Sequence, residues 1–173
     1  GLDALTSVGG NLNISNNDTL NSLTSLDALT SVGGDLRISN NDALPSLTGL
    51  DVLTSVGGDL DISNNEALPS LTGLDTPTSV DGFLRISYNA ALPSLTGLEN
   101  VDASGITNLI IVNNTQLSIC AVESICAYLG LAMNSATIFD NATGCASRAE
   151  VEETCIAVNV TEISQTDIEV FPN

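Results

Sequence analysis

Histidine and tryptophan are absent from this 173-residue chain, and only three residues are basic, Arg37, Arg85 and Arg148. Aromatic residues make up 3% of it. Without histidine the commonest general base and metal ligand is missing, and with all four cysteines in the last third the first two thirds hold no thiol nucleophile either. Catalysis is therefore not expected in this chain. A formal charge of −18 repels the phosphates of nucleic acid and of anionic membranes, so neither is expected as a partner. No run of about 18 apolar residues occurs, which leaves no membrane-spanning helix, and no basic and apolar leader opens the chain. A chain so acidic and poor in aromatics risks disorder, but 43% hydrophobic residues in regular array provide the surface for a core.

That array is a repeat. Leu2-Asp3-Ala4-Leu5-Thr6-Ser7-Val8-Gly9-Gly10 returns at Leu26–Gly34, at Leu50–Gly58 and, degraded, at Leu74–Gly82, a period of 24 residues. Each copy runs into L-x-I-x-x-N-x-x-L. The copies are Leu12, Ile14, Asn17, Leu20; Leu36, Ile38, Asn41, Leu44; Leu60, Ile62, Asn65, Leu68; Leu84, Ile86, Asn89, Leu92; and Leu109, Ile111, Asn114, Leu117.

This wording resembles the leucine-rich repeat family, in the variants found on bacterial surface proteins and in receptor L domains. The resemblance covers about two thirds of the chain. It implies a mainly β solenoid of about five 24-residue repeats with short parallel strands, occupying residues 1–117, with a small α/β cap at 118–158 and a linker at 159–173.

The pattern also reads directly from physics. Leu36 and Ile38 alternate and point inward from a short strand, while Asp35, Arg37 and Ser39 point outward. Asn17, Asn41, Asn65, Asn89 and Asn114 then form an inward column whose amides satisfy backbone groups of neighbouring turns. Leu44, Leu47, Leu50, Leu53 and Val56 recur every third residue, as a 3₁₀-like or extended return path requires. The glycine pairs are expected to make a tight corner at positive φ. Gly1-Leu2-Asp3 is in register with Gly49-Leu50-Asp51, which leads us to expect further repeats or another domain upstream.

After Leu117 the composition changes. Val122, Ile125 and Leu129 have helical spacing, residues 136–141 read as one more strand, and Ser147 with Glu150 forms a capping box for a second helix reaching Cys155. Four cysteines permit three pairings, and an acidic, lysine-free chain favours disulfides in an oxidising compartment. Cys120 with Cys145 and Cys126 with Cys155 is the favoured arrangement. The spacings do not suit a zinc knuckle. The ending Ile168-Glu-Val-Phe-Pro-Asn173 is similar to the opening of the sorting domain of type IX secretion cargo, and the cap is similar to caps on surface leucine-rich proteins of Bacteroidetes. Together they imply an extracellular or outer-surface location.

Outward strand positions form columns about 4.8 Å apart per turn. One runs Asn11, Asp35, Asp59, Phe83, Asn108; the next Asn13, Arg37, Asp61, Arg85, Ile110; the third Ser15, Ser39, Ser63, Ser87, Val112. Arg37, Asp61 and Arg85 make either a charge ladder that offsets repulsion or, with Phe83, Tyr88 and Asp59, a recognition patch for glycan or protein. Asp35, Asp59 and Asp61 are a candidate calcium set, although no D-x-D-x-D-G loop supports it. No cofactor is expected. The functional expectation is a non-catalytic binding or adhesion module; the alternatives are a spacer that self-associates into a surface assembly, and an accessory module of a secreted hydrolase.

Overall fold

A computed structural model describes residues 1–76, 78–131 and 134–166, with side chains to residue 157. The chain is a parallel β-solenoid of about five turns of roughly 24 residues, followed by two helices in a region with two disulfides, one of which joins the helices. Each turn contributes one strand to each of two parallel sheets. The first sheet holds β1 (Ser7–Val8), β3 (Ser31–Val32), β5 (Ser55–Val56), β7 (Thr78–Val80) and β9 (Val101–Asp102) in that order. The second runs β2 (Leu12–Ser15), β4 (Leu36–Ser39), β6 (Leu60–Ser63), β8 (Phe83–Ser87), β10 (Asn108–Val112) and β11 (Ser135–Phe139).

Equivalent residues lie side by side: Leu36 pairs with Leu60 and Leu60 with Leu84, and Ile38 with Ile62 and Ile62 with Ile86. Leu36, Ile38, Leu44, Leu47, Leu50, Leu53 and Val56 are all completely buried. In the first turn Leu5, Val8, Leu12, Ile14 and Leu20 are only partly covered, because that turn packs against a single neighbour. The return path is a chain of tight turns, with Leu44 N–H donating to Asn41 O, Leu50 N–H to Leu47 O and Leu53 N–H to Leu50 O. These three-residue steps are what the spacing of the leucines predicts.

The glycine pairs do something other than expected. Positive φ among the described glycines falls at Gly49, Gly73, Gly97 and Gly144, not at the pairs. The pairs are needed because successive turns touch there: a Cβ on Gly33 would sit 2.7 Å from Gly9 O, and one on Gly57 would sit 2.7 Å from Gly33 O. Glycine is chosen for contact, and its torsional freedom is spent at the other corner. Where the first turn has Ser25 in place of Gly49, the backbone forms a 3₁₀ turn over Thr24–Leu26.

The asparagine column is buried as a relay. Asn65 Nδ2 donates to Ile38 O (3.0 Å) and Ser63 O (3.2 Å), and its Oδ1 accepts from Asn41 N (3.1 Å). The same geometry links Asn17 to Asn41, Asn89 to Asn114 and, beyond the sequence-read column, Asn114 to Asn141, whose Oδ1 accepts from Asn114 N at 3.0 Å. The strand β11 and Asn141 thus form a partial sixth turn.

The cap closes the end of the stack. Helix α1 (Glu123–Leu129) lays Ile125, Tyr128 and Leu129 on the core, and α2 (Arg148–Thr166) adds Val151. Ser147 Oγ accepts from Glu150 N, and Glu150 Oε2 accepts from Ala146 N at 2.7 Å, a capping box shifted back by one donor. The helix runs well past Cys155. Disulfides join Cys120 to Cys145 and Cys126 to Cys155. They place the chain in an oxidising compartment. No helix among the described residues is long and apolar enough to cross a membrane. The Ile168–Asn173 ending lies outside the described residues.

Candidate functional site

The outward face of the second sheet carries a hollow of about 300 Å³ lined by Arg37, Asp59, Asp61, Ser63, Asn64, Phe83, Arg85, Ser87 and Tyr88. Strands β4, β6 and β8 supply its floor and walls, and the corners after β6 and β8 supply Asn64 and Tyr88. A second hollow of about 280 Å³, lined by Asn11, Leu12, Asn13, Asp35, Arg37, Asp59 and Asp61, shares three walls with it. The two make one groove across β2 to β8.

The charge ladder is broken. Arg37 Nε lies 3.8 Å from Asp61 Oδ2 and donates to Ser39 Oγ at 3.1 Å. Asp61 and Arg85 are register partners, yet the Arg85 side chain takes part in no ion pair or hydrogen bond among the described residues. Neither oxygen of Asp61 accepts a hydrogen bond, and Oδ1 is shielded from solvent without a partner. The shielded Asp61 Oδ1 thus lacks the partner that native structures normally give a buried polar atom, and the exposed Arg85 guanidinium on the neighbouring strand has no protein partner among the described residues.

Asp35 and Asp59 have a backbone duty. Asn11 Oδ1 accepts from Asp35 N (2.9 Å), Asp35 Oδ1 from Asp59 N (3.0 Å) and Asp59 Oδ1 from Phe83 N (2.7 Å). No cluster of three His, Cys, Asp or Glu side chains able to hold a metal ion occurs among the described residues, so Asp35, Asp59 and Asp61 are not gathered into one. The serine column also departs from expectation. Ser39, Ser63 and Ser87 point outward in the pleat but are 0–3% exposed, because short side chains sit at the bottom of the groove between longer neighbours such as Arg37.

The fourth turn breaks two columns at once. Phe83 stands where the preceding turns place Asp35 and Asp59, has no acceptor to pass to Asn108, and is 39% exposed. Tyr88 stands at the left-handed corner that Asn16, Asn40, Asn64, Asn113 and Asp140 occupy elsewhere, with φ 55°, and is 53% exposed. Asparagine and aspartate tolerate that conformation through local hydrogen bonding; a bulky ring does not. Sequence reading selected Phe83 and Tyr88 as exposed aromatics but missed Ser63, Ser87 and Asn64 as lining. The corner column itself, Asn40, Asn64, Tyr88, was the available signal.

A larger hollow of about 440 Å³ lies between the last turns and α1, edged by Glu99, Asp102 and Glu123. Its polar groups are mostly engaged in the fold. Glu99 Oε2 accepts from Gly97 N, and Asp102 Oδ1 accepts from Ser104 N, a bond that holds the Asp102 carboxyl below its ordinary range. That hollow is a seam between stack and cap.

Compared with protein-family models, curated proteins and solved structures, the chain has no match.

Proposed function

We propose that this chain is a non-catalytic binding or adhesion module that presents the outward face of β2 to β8 to a protein or glycan at the outside of a cell. The carrying observation is that Phe83 and Tyr88 replace column residues in one turn, on one face, at a structural cost and without burial in return. Strain that the packing does not require is a mark of function, and exposed aromatics beside an unpaired arginine have the composition of interaction hot spots. The repeat wording supports a leucine-rich repeat protein of bacterial surface type. The two disulfides support an extracellular location, consistent with an outer-surface or secreted protein carrying a sorting segment.

The test is binding of the purified chain to arrays of glycans and of cell-surface proteins, repeated with Phe83→Ala and Arg85→Ala. The reading requires at least one ligand whose binding weakens by about tenfold in each variant, the size of a modest hot spot. Ligands that bind wild type and both variants equally, or no ligand at all, reject it.

A further inference from the structure

We propose that the groove around Asp61 and Arg85 takes a neutral, hydroxyl-rich oligosaccharide lying across the strands, an inference that rests on the binding role argued above. Charge balance comes first. The hollow's ionic lining is Arg37 and Arg85 against Asp59 and Asp61, so its formal charges cancel in a chain carrying −18 overall. A polyanion would meet the acidic surface around it, and a polycation would meet two guanidinium groups flanking Asp61. The site discriminates against both by repulsion, which leaves neutral polar ligands.

The lining specifies what that ligand offers. Arg85 has only donors and no partner, while Asp61 has only acceptors and accepts no hydrogen bond. They are opposite one another on neighbouring strands, with the Ser63 and Ser87 hydroxyls opposite one another beside them. A ligand group between them must accept on one side and donate on the other. A hydroxyl does both, and adjacent hydroxyls of a sugar ring repeat the pair. Approach of such a ligand lets the Asp61 side chain turn to expose its shielded oxygen.

The rims supply the apolar half. Phe83 stands at the start of β8 and Tyr88 just past its end, with Arg85 between them, so two exposed rings bracket the polar hollow. Sugar C–H groups carry partial positive charge and pack on the negative face of such rings. Length follows from the second hollow, which shares Arg37, Asp59 and Asp61 and continues past Asp35, Asn13 and Asn11, adding donors, acceptors and one carboxylate but no basic group. A space of about 300 Å³ is at the small end of ligand sites, so one ring fills it and the groove accommodates a chain.

The experiment is calorimetric titration of the folded chain with maltohexaose, cellohexaose, xylohexaose and mannohexaose, with hexagalacturonate as the anionic probe and oligoarginine as the cationic one. The variants are Asp61→Asn, Arg85→Ala, Phe83→Ala and Tyr88→Asn, with Val52→Ala, exposed elsewhere, as control. All alter exposed or half-buried side chains, and thermal unfolding confirms folding of each. The expected result is binding of at least one neutral hexasaccharide, weakened about tenfold by each groove variant and unchanged by the control. Between about 0.05 and 0.5 M salt that binding should change less than about twofold, because no net charge is neutralised. Binding only of hexagalacturonate or oligoarginine, steep salt dependence, or neutral-sugar binding indifferent to the groove variants overturns the inference. If no sugar binds but a protein ligand does, sensitive to Phe83→Ala and Arg85→Ala, the saccharide inference falls and the binding role stands; if nothing binds at this face, both fall.

Discussion

Tyr88 and Asn64 occupy the same corner of successive turns with the same backbone φ of 55°. For Asn64 the conformation is cheap; for Tyr88 it is not, since a bulky residue in the left-handed region costs on the order of 1 kcal/mol or more. The ring is half exposed and recovers little of this by packing. Tyr88→Asn should therefore stabilise the fold by about 1 kcal/mol and raise the unfolding midpoint by roughly 2–4 °C for a chain of this size. Scanning calorimetry reads the shift. A lower midpoint for Tyr88→Asn would mean that the tyrosine is there for packing, and the functional argument built on it would lose its main support.

The asparagine relay separates burial from exposure within one chemical motif. Asn65 is completely buried, donates to two backbone carbonyls and accepts from Asn41 N. Truncation to alanine strands those groups away from water, at about 1–3 kcal/mol for each group left unsatisfied. Asn65→Ala should cost about 3 kcal/mol or more in urea unfolding. Asn17 belongs to the same column but is exposed, so water replaces its partners and Asn17→Ala should cost below about 1 kcal/mol. Equal losses at the two positions would show that the column is not held by solvent exclusion.

Much of this was legible because identity at a fixed period reports position. Leu36, Leu60 and Leu84 announce one inward column and Asn41, Asn65 and Asn89 another, and the structure stacks them in register. The stack's end was harder to read. Asn141 is a rung of the relay, but Ala136 replaces the leucine that would have marked its strand, leaving only Ile138 and Asn141 of the pattern. Glycine was the least transparent residue, because a position needing positive φ and one needing close approach carry the same letter. The broken columns at Phe83 and Tyr88 were visible as substitutions. Their meaning was not, since the left-handed backbone at position 88 is a fact of three-dimensional turn geometry.

The two uses of glycine give a sharp comparison inside one motif. A Cβ at Gly57 would lie 2.7 Å from Gly33 O, backbone against backbone, whereas one at Gly9 would meet nothing within 4 Å. Neither residue has positive φ, so torsional strain does not confuse the test. Gly57→Ala should push adjacent turns apart and cost about 1–3 kcal/mol, the usual penalty for overpacking. Gly9→Ala should be neutral or stabilising by about 0.4–1 kcal/mol through the unfolded chain's lost freedom. Guanidinium unfolding of the pair measures both, and a Gly9→Ala loss as large as that of Gly57→Ala would rule out the contact explanation.

The cap contains a group whose ionisation opposes the fold at high pH. Tyr128 is completely buried, and its hydroxyl donates to Ser135 O at 2.7 Å, tying α1 to the segment that becomes β11. Burial raises its pKa above the ordinary phenol value, an effect partly offset by the nearby Arg148 charge. The folded state therefore holds this proton more tightly than the unfolded state. Its stabilising contribution is complete below the unfolded value of about 10 and is lost as pH rises through the folded pKa. A phenolate also cannot donate to Ser135 O, so the cap should loosen from the stack in the same range. Tyr128 and Tyr88 are the two tyrosines of the chain, so in the Tyr88→Asn variant phenolate absorbance reports Tyr128 alone. Its titration should lie above the ordinary tyrosine range and coincide with loss of cap structure by circular dichroism. Tyr128→Phe should cost about 1 kcal/mol at neutral pH, where Ser135 O loses its donor, and should abolish the alkaline transition. A Tyr128 that titrates at the ordinary value with the cap intact would show that the phenol is not held in the buried position its hydrogen bond defines.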